Sequence, residues 1–272
     1  MTLRILTAAL LVACFAIAGR ALGTVTFTQG SDHLTPIQRE IERQRQRLSS
    51  AEIEERRDAL MRLANLKRPE ASRVAAAGLK DPAPIVRAAA VHAVLSLPQA
   101  EGAALLLPLL QDKLEFVRRE TAYALGETRS RSAVEALSNL LLFDKETGVS
   151  AAAAIALGQI GDDAAVSILS QVLNGPAPTK GKKKRARENE FVMRAAAHSL
   201  GQIRSRSSVT VLIATLENET NANDVRREAA TALGLIGDAS AIPSLRAALG
   251  AADPYLSEAA REALRRLRLA RN

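Results

Sequence analysis

The sequence predicts an all-α, right-handed solenoid of paired helices. Three observations carry this prediction. A Leu-Gly pair recurs along the chain, apolar residues around each copy fall at helical intervals, and the composition is rich in small aliphatic residues. Of the 272 residues 47% are apolar, yet only 3% are aromatic and tryptophan is absent. A core must then rest on Ala, Leu, Val and Ile, whose small side chains let helices approach closely.

The Leu-Gly pair closes four similar segments, TAYALGE at Leu125, AAIALGQ at Leu157, AAHSLGQ at Leu200 and ATALGLI at Leu233. Weaker copies centre on Val94 and Leu264, and a degenerate one covers residues 51–79. The steps are 31, 32, 43, 33 and 31 residues, and the 43 is the same unit with an insertion. This gives about six to seven repeats of 31–33 residues over residues 51–272.

Each unit holds two helices. In the first, apolar positions recur at i, i+4, i+7 and i+8, as in Val225, Ala229, Ala232 and Leu233. Gly161 and Gly237 then stand where a chain needs a left-handed helix stop. The second helix carries its own stripe, such as Val166, Leu169 and Leu173. Pro243 falls in a first turn, where its missing N–H costs nothing. Asp81, Asp112 and Asp144 open the units that follow. One unit cannot bury both helices alone, so neighbours must stack, and the copies lacking Leu-Gly lie at the ends as caps.

A unit of the form D-x5-R-x-x-A-x-x-A-L-G-x-I-G-x-x-x-A-I-x-x-L resembles the short HEAT-like repeat of the phycobilisome lyase type, most cleanly over residues 224–249. The tetratricopeptide and ankyrin patterns are absent. The resemblance implies a first-helix Arg bonded to neighbouring repeats. Arg87, Arg118 and Arg226 match it, while Ser150 and Met193 take its place in two units, so an interrupted ladder is expected.

Outside the repeats, residues 1–23 have the layout of a secretory signal: Arg4, an apolar run over residues 5–18, and a small-residue exit. The run is shorter than the ~20 residues a spanning helix needs. Cys14, the only cysteine, follows Leu11-Val12-Ala13 in a lipobox-like setting, which makes lipid anchorage the alternative to cleavage. Without residues 1–23 the charge is +6, from 35 Lys+Arg and 29 Asp+Glu. Residues 24–50 read as a polar lead with a solvated helix starting at Thr35-Pro36, and Ser49 with Glu52 as a capping box for the next helix. The insertion, residues 174–189, is a basic loop.

The expected function is a non-enzymatic scaffold, exported to the periplasm or cell envelope, that holds a protein partner. The second helices are expected to line a concave face. The candidate contacts are Arg129, Arg131, Arg204 and Arg206 in equivalent turns, plus Lys182, Lys183, Lys184 and Arg185 of the basic loop. The loop also suits an anionic polymer or lipid headgroup, while no specific nucleic acid is expected. Asp162 and Asp238 in the alternating turns predict ion pairs between neighbours. The resemblance also implies an alternative, an enzyme or enzyme subunit of the lyase or deoxyhypusine hydroxylase-like group. That hydroxylase holds iron through His-Glu pairs. Here His33, His92 and His198 precede Leu34, Ala93 and Ser199, so no metal or other cofactor is expected. No catalytic residue is assigned, since the sequence lacks a nucleophile elbow and a phosphate loop.

Overall fold

The computed structural model describes residues 34–175 and 190–269. The signal-like segment with Cys14, and the basic run Lys182 to Arg185, lie outside the described residues. Within them the chain forms fourteen α-helices and no strands. These are α1 (Pro36–Arg47), α2 (Ile53–Asn65), α3 (Pro69–Ala75), α4 (Pro84–Ala93), α5 (Gln99–Leu106), α6 (Glu115–Thr128) and α7 (Val134–Phe143). They continue with α8 (Thr147–Ile160), α9 (Val166–Leu173), α10 (Glu190–Ile203), α11 (Val209–Glu217), α12 (Asn223–Ile236), α13 (Ile242–Ala248) and α14 (Pro254–Leu269). No described helix is long and apolar enough to cross a membrane.

The even-numbered helices from α2 to α14 are the first helices of successive units, and each packs on the next. The odd-numbered ones lie behind them and touch one another less. One contiguous apolar cluster runs from Ile41 in α1 to Leu267 in α14. The largest side chains fully buried in it are all leucines, among them Leu63, Leu125, Leu157 and Leu200. Among the described residues no aromatic ring is fully buried.

The lead helix departs from expectation. Thr35 caps α1 with Gln38 in a reciprocal capping box, but the helix is not merely solvated. Ile41 and Gln44 are buried where α1 packs on α2 and α3, in the place of a second helix from a preceding unit. The expected Ser49–Glu52 box is not formed. Ser50 acts instead, its Oγ accepting from the Glu52 N–H and donating to Glu55.

The Leu-Gly glycines prove to be contact points within helices. A Cβ on Gly126 would stand 2.8 Å from the Cα of Ala156 in α8. On Gly158 it would lie 2.6 Å from Ser199 Cβ, on Gly201 2.9 Å from Ala232 Cα, and on Gly234 2.7 Å from Ala263 Cα. Real Cβ atoms do not approach this closely, so glycine is what permits the spacing. Across the Gly158 contact, Ser199 Oγ donates to the Ala154 carbonyl at 2.8 Å. The α8–α10 contact is as tight as the others, so the insertion does not interrupt the stack.

The N-terminal units are joined differently. Arg56, Arg87 and Arg118 each grip, through Nε and Nη2, the carboxylate that opens the next unit: Asp81, Asp112 and Asp144, at 2.7–3.0 Å. Each Nη1 also donates to carbonyls of the turn leading into its own helix, such as Ser50, Asp81 and Asp112. Each carboxylate further accepts the N–H two residues on. Burial alone would raise the Asp81 and Asp112 carboxyls, but the guanidinium and N–H donors outweigh it and hold both below the ordinary range. The result is a continuous rail along one edge.

The rail ends as expected at Ser150, whose buried Oγ has no hydrogen-bond partner among the described residues. Arg56 joins it although the sequence reading passed it over. Arg226 does not join it, because the matching acid position is Ala251, and its Nε donates to the Leu216 carbonyl. In the C-terminal units looser pairs one residue on, Arg194–Asp224 at 3.7 Å and Arg227–Asp253 at 3.6 Å, take over.

The Arg118 and Asp144 side chains are only 9% and 5% exposed. Removing one partner of such a pair strands the other, so Arg118→Ala lowers stability by about 3 kcal/mol or more. Ser150→Ala leaves it unchanged or raises it, because it removes an unpartnered buried hydroxyl. Urea unfolding of the two variants checks both directions.

Candidate functional site

The first helices end in turns that repeat along the array. The residue after the helix is left-handed at Arg129 (φ 54°), Gly161 (φ 73°), Arg204 (φ 59°) and Gly237 (φ 78°). The next residue, Ser130, Asp162, Ser205 or Asp238, leads into a short 3₁₀ turn before the second helix. Arg-Ser and Gly-Asp turns therefore alternate. The glycines were legible as helix stops. The arginines occupy the same strained conformation without the glycine that usually relieves it.

The alternation explains two of the candidate arginines. Arg131 reaches Asp162 of the next turn at 3.2 Å, and Arg206 reaches Asp238 at 3.9 Å. Both are more than 80% exposed and contribute little to stability. Arg129 and Arg204 are different. They are exposed, and neither guanidinium has a hydrogen-bond or ion-pair partner among the described residues.

These two line one groove of about 870 Å³, formed by the C-terminal ends of α6, α8, α10 and α12. Its surface belongs to the first helices, whereas the sequence reading had placed the binding face on the second. The close helix spacing is the cause. Gly126, Gly158 and Gly201 present no side chains, and residues from the following helix cover them. Gln159 Oε1 occupies the space a side chain at Gly126 would need, Gln202 does so at Gly158, and Leu235 lies over Gly201. Glu127 completes the lining at one end. The sequence carried a signal for the two amides, because Gln follows the Leu-Gly pair in two successive units.

His198 also lines the groove. Its Nδ1 is 2.7 Å from Glu228 Oε1 of the next first helix. His92, at the equivalent position, meets Glu120 at 3.1 Å. These partners lie about thirty residues away in sequence, so the absence of a Glu directly after each His did not exclude them. The hydrogen bond to Glu228 raises the His198 pKa, with the carboxylate charge adding to it and burial opposing it. Among the described residues no three His, Cys, Asp or Glu side chains gather as they would around a metal ion.

The model for HEAT repeats matches residues 41–124, 103–182 and 183–267. The chain belongs to the HEAT-repeat family. No curated protein matches the sequence significantly. Solved structures that share the HEAT-repeat fold include E. coli YibA, at 20% identity over 85% of this chain and 82% of that one, TM-score 0.56. An engineered protein follows at 20% identity, 84% and 68% coverage, TM-score 0.51. The complex of CpcE and CpcF of phycocyanin lyase from Nostoc sp. PCC7120 follows at 22% identity, 87% and 89% coverage, TM-score 0.50. At these identities the likeness is one of fold.

The His198–Glu228 pair gives this groove a pH signature. A histidine whose folded pKa is raised stabilises the fold below its unfolded pKa, about 6.5, and loses that contribution as pH rises through the folded value. Wild-type stability therefore falls across that window, and His198→Gln removes the step. Melting temperatures from pH 5.5 to 9 check it; parallel curves for the two proteins contradict it.

Proposed function

We propose that this HEAT-repeat protein is an exported, non-enzymatic scaffold that holds a protein partner on its repeat surface. The observation that carries the reading is the groove across four successive first helices, lined by amides and by two guanidiniums without a partner among the described residues. Such a surface suits the recognition of polar groups. Its lining contains no cysteine, serine or threonine that a base could activate. The signal-like residues 1–23 support export, with Cys14 as the residue a lipid anchor would use.

A second reading is an enzyme subunit. The phycocyanin lyase complex CpcE–CpcF, whose fold this chain shares, favours it. A shared scaffold does not carry a shared reaction, which is why it stands second. The third, a charge-driven binder of anionic polymer or lipid headgroups, rests on Lys182, Lys183, Lys184 and Arg185.

Affinity capture with the tagged full chain from envelope extract, washed at low and high salt, separates the three. The scaffold reading expects a protein retained at both salts. Polymer or lipid released at high salt overturns it in favour of the charge-driven binder. A bound pigment or metal overturns it in favour of the enzyme.

A further inference from the structure

We propose that the groove binds an extended acidic peptide segment, with two carboxylates six residues apart seated on Arg129 and Arg204; this deepens the scaffold reading and rests on it. Arg129 and Arg204 are left-handed at positions where Gly161 and Gly237 serve in the alternate units. A side chain in that conformation costs on the order of 1–2 kcal/mol relative to glycine. Arg131 and Arg206, two residues further on, are used in ion pairs between turns. The Arg129 and Arg204 guanidiniums are not, although the Arg129 carbonyl accepts from Gln99 Nε2; Lys67 is left-handed as well, but only these two arginines line the groove.

The two cations sit two units apart on the same groove. Packed helices lie about 8–10 Å from axis to axis, so the arginines are separated by roughly 16–20 Å. An extended chain advances about 3.3 Å per residue, which places five or six residues between the matching carboxylates. Side chains of an extended chain alternate in direction, so only an even separation points both at the same wall. Six meets both conditions.

The floor suits a peptide better than a polyanion. Gln159 and Gln202 offer one amide per unit, each able to donate and to accept, spaced to meet the main chain about every third residue. Glu127 in the same lining repels a ligand charged along its whole length. Duplex DNA carries one charge per ~1.7 Å and would set several phosphates against the groove while finding two free cations there.

The test uses the full chain with Cys14→Ser and labelled twelve-residue Ser/Ala/Thr peptides bearing two Glu, read by fluorescence polarisation. The expected result is binding at least tenfold tighter for Glu at i and i+6 than at i and i+3, and none for Lys at i and i+6. Arg129→Gly with Arg204→Gly abolishes that preference. Glycine suits both turns, so this variant folds, which circular dichroism checks. Arg131→Gln with Arg206→Gln leaves binding unchanged. Binding indifferent to spacing, equal loss in the two variants, equally tight binding of a single-stranded oligonucleotide, or no peptide binding at all overturns the inference. Capture from envelope extract with the Arg129→Gly, Arg204→Gly variant separates the two levels. If that variant still retains the wild-type partner, the scaffold reading stands and the groove assignment falls. If wild type retains no protein, the scaffold reading falls with it.

Discussion

Most of the architecture follows from one constraint, the close approach of a Leu-Gly glycine to the next first helix. At Gly126, Gly158, Gly201 and Gly234 a first helix lies so near its neighbour that one methyl group would not fit. Each glycine faces a small residue, Ala156, Ser199, Ala232 or Ala263, two places before the neighbour's own glycine or the matching position in α14. The motif is thus both knob and hole, and its repetition propagates one spacing along the stack. A glycine inside a helix costs about 1 kcal/mol against alanine. The close dispersion contacts it permits, together with the Ser199–Ala154 hydrogen bond, offset that cost.

The same contact makes the groove. With no side chains at three successive positions, the helix ends leave a trough that Gln159, Gln202 and Leu235 pave from the following units. The stack and the groove come from one sequence feature. The N-terminal units lack it, with Ala64 and Leu95 at the corresponding positions. There the Arg56–Asp81, Arg87–Asp112 and Arg118–Asp144 rail links neighbours instead. The two devices overlap only in α6, which holds both Arg118 and Gly126. The array is therefore stitched by charge at one end and by close packing at the other, and the groove belongs to the close-packed end.

Much of this was legible in the sequence. Period and helix pairing follow from the Leu-Gly spacing, and the break in the rail follows from Ser150. The ion pairs of Arg131 and Arg206 follow from alternating turn charges on a fixed unit length. What escaped depends on distances no one-dimensional pattern contains. Gly161 and Gly237 are legible as helix stops, whereas in the sequence the Leu-Gly glycines only mark the close of each segment. Their use in close packing requires the neighbouring helix. The groove on the first helices was not legible for the same reason, since it exists only once successive units are stacked. Arg226 shows the converse limit. It matches the motif, but Ala251 removes its acid, and the arginine turns to a backbone carbonyl instead.

The most direct measurement is the distance across the groove when the glycine contacts are filled. Spin labels at Glu127→Cys and Arg204→Cys, in a Cys14→Ser background, report it by pulsed electron resonance. Gly158→Ala with Gly201→Ala is expected to lengthen and broaden that distance, because both new methyl groups force neighbouring helices apart. An unchanged, narrow distance in that folded variant would mean that glycine does not set the spacing, and the explanation of the groove would be wrong.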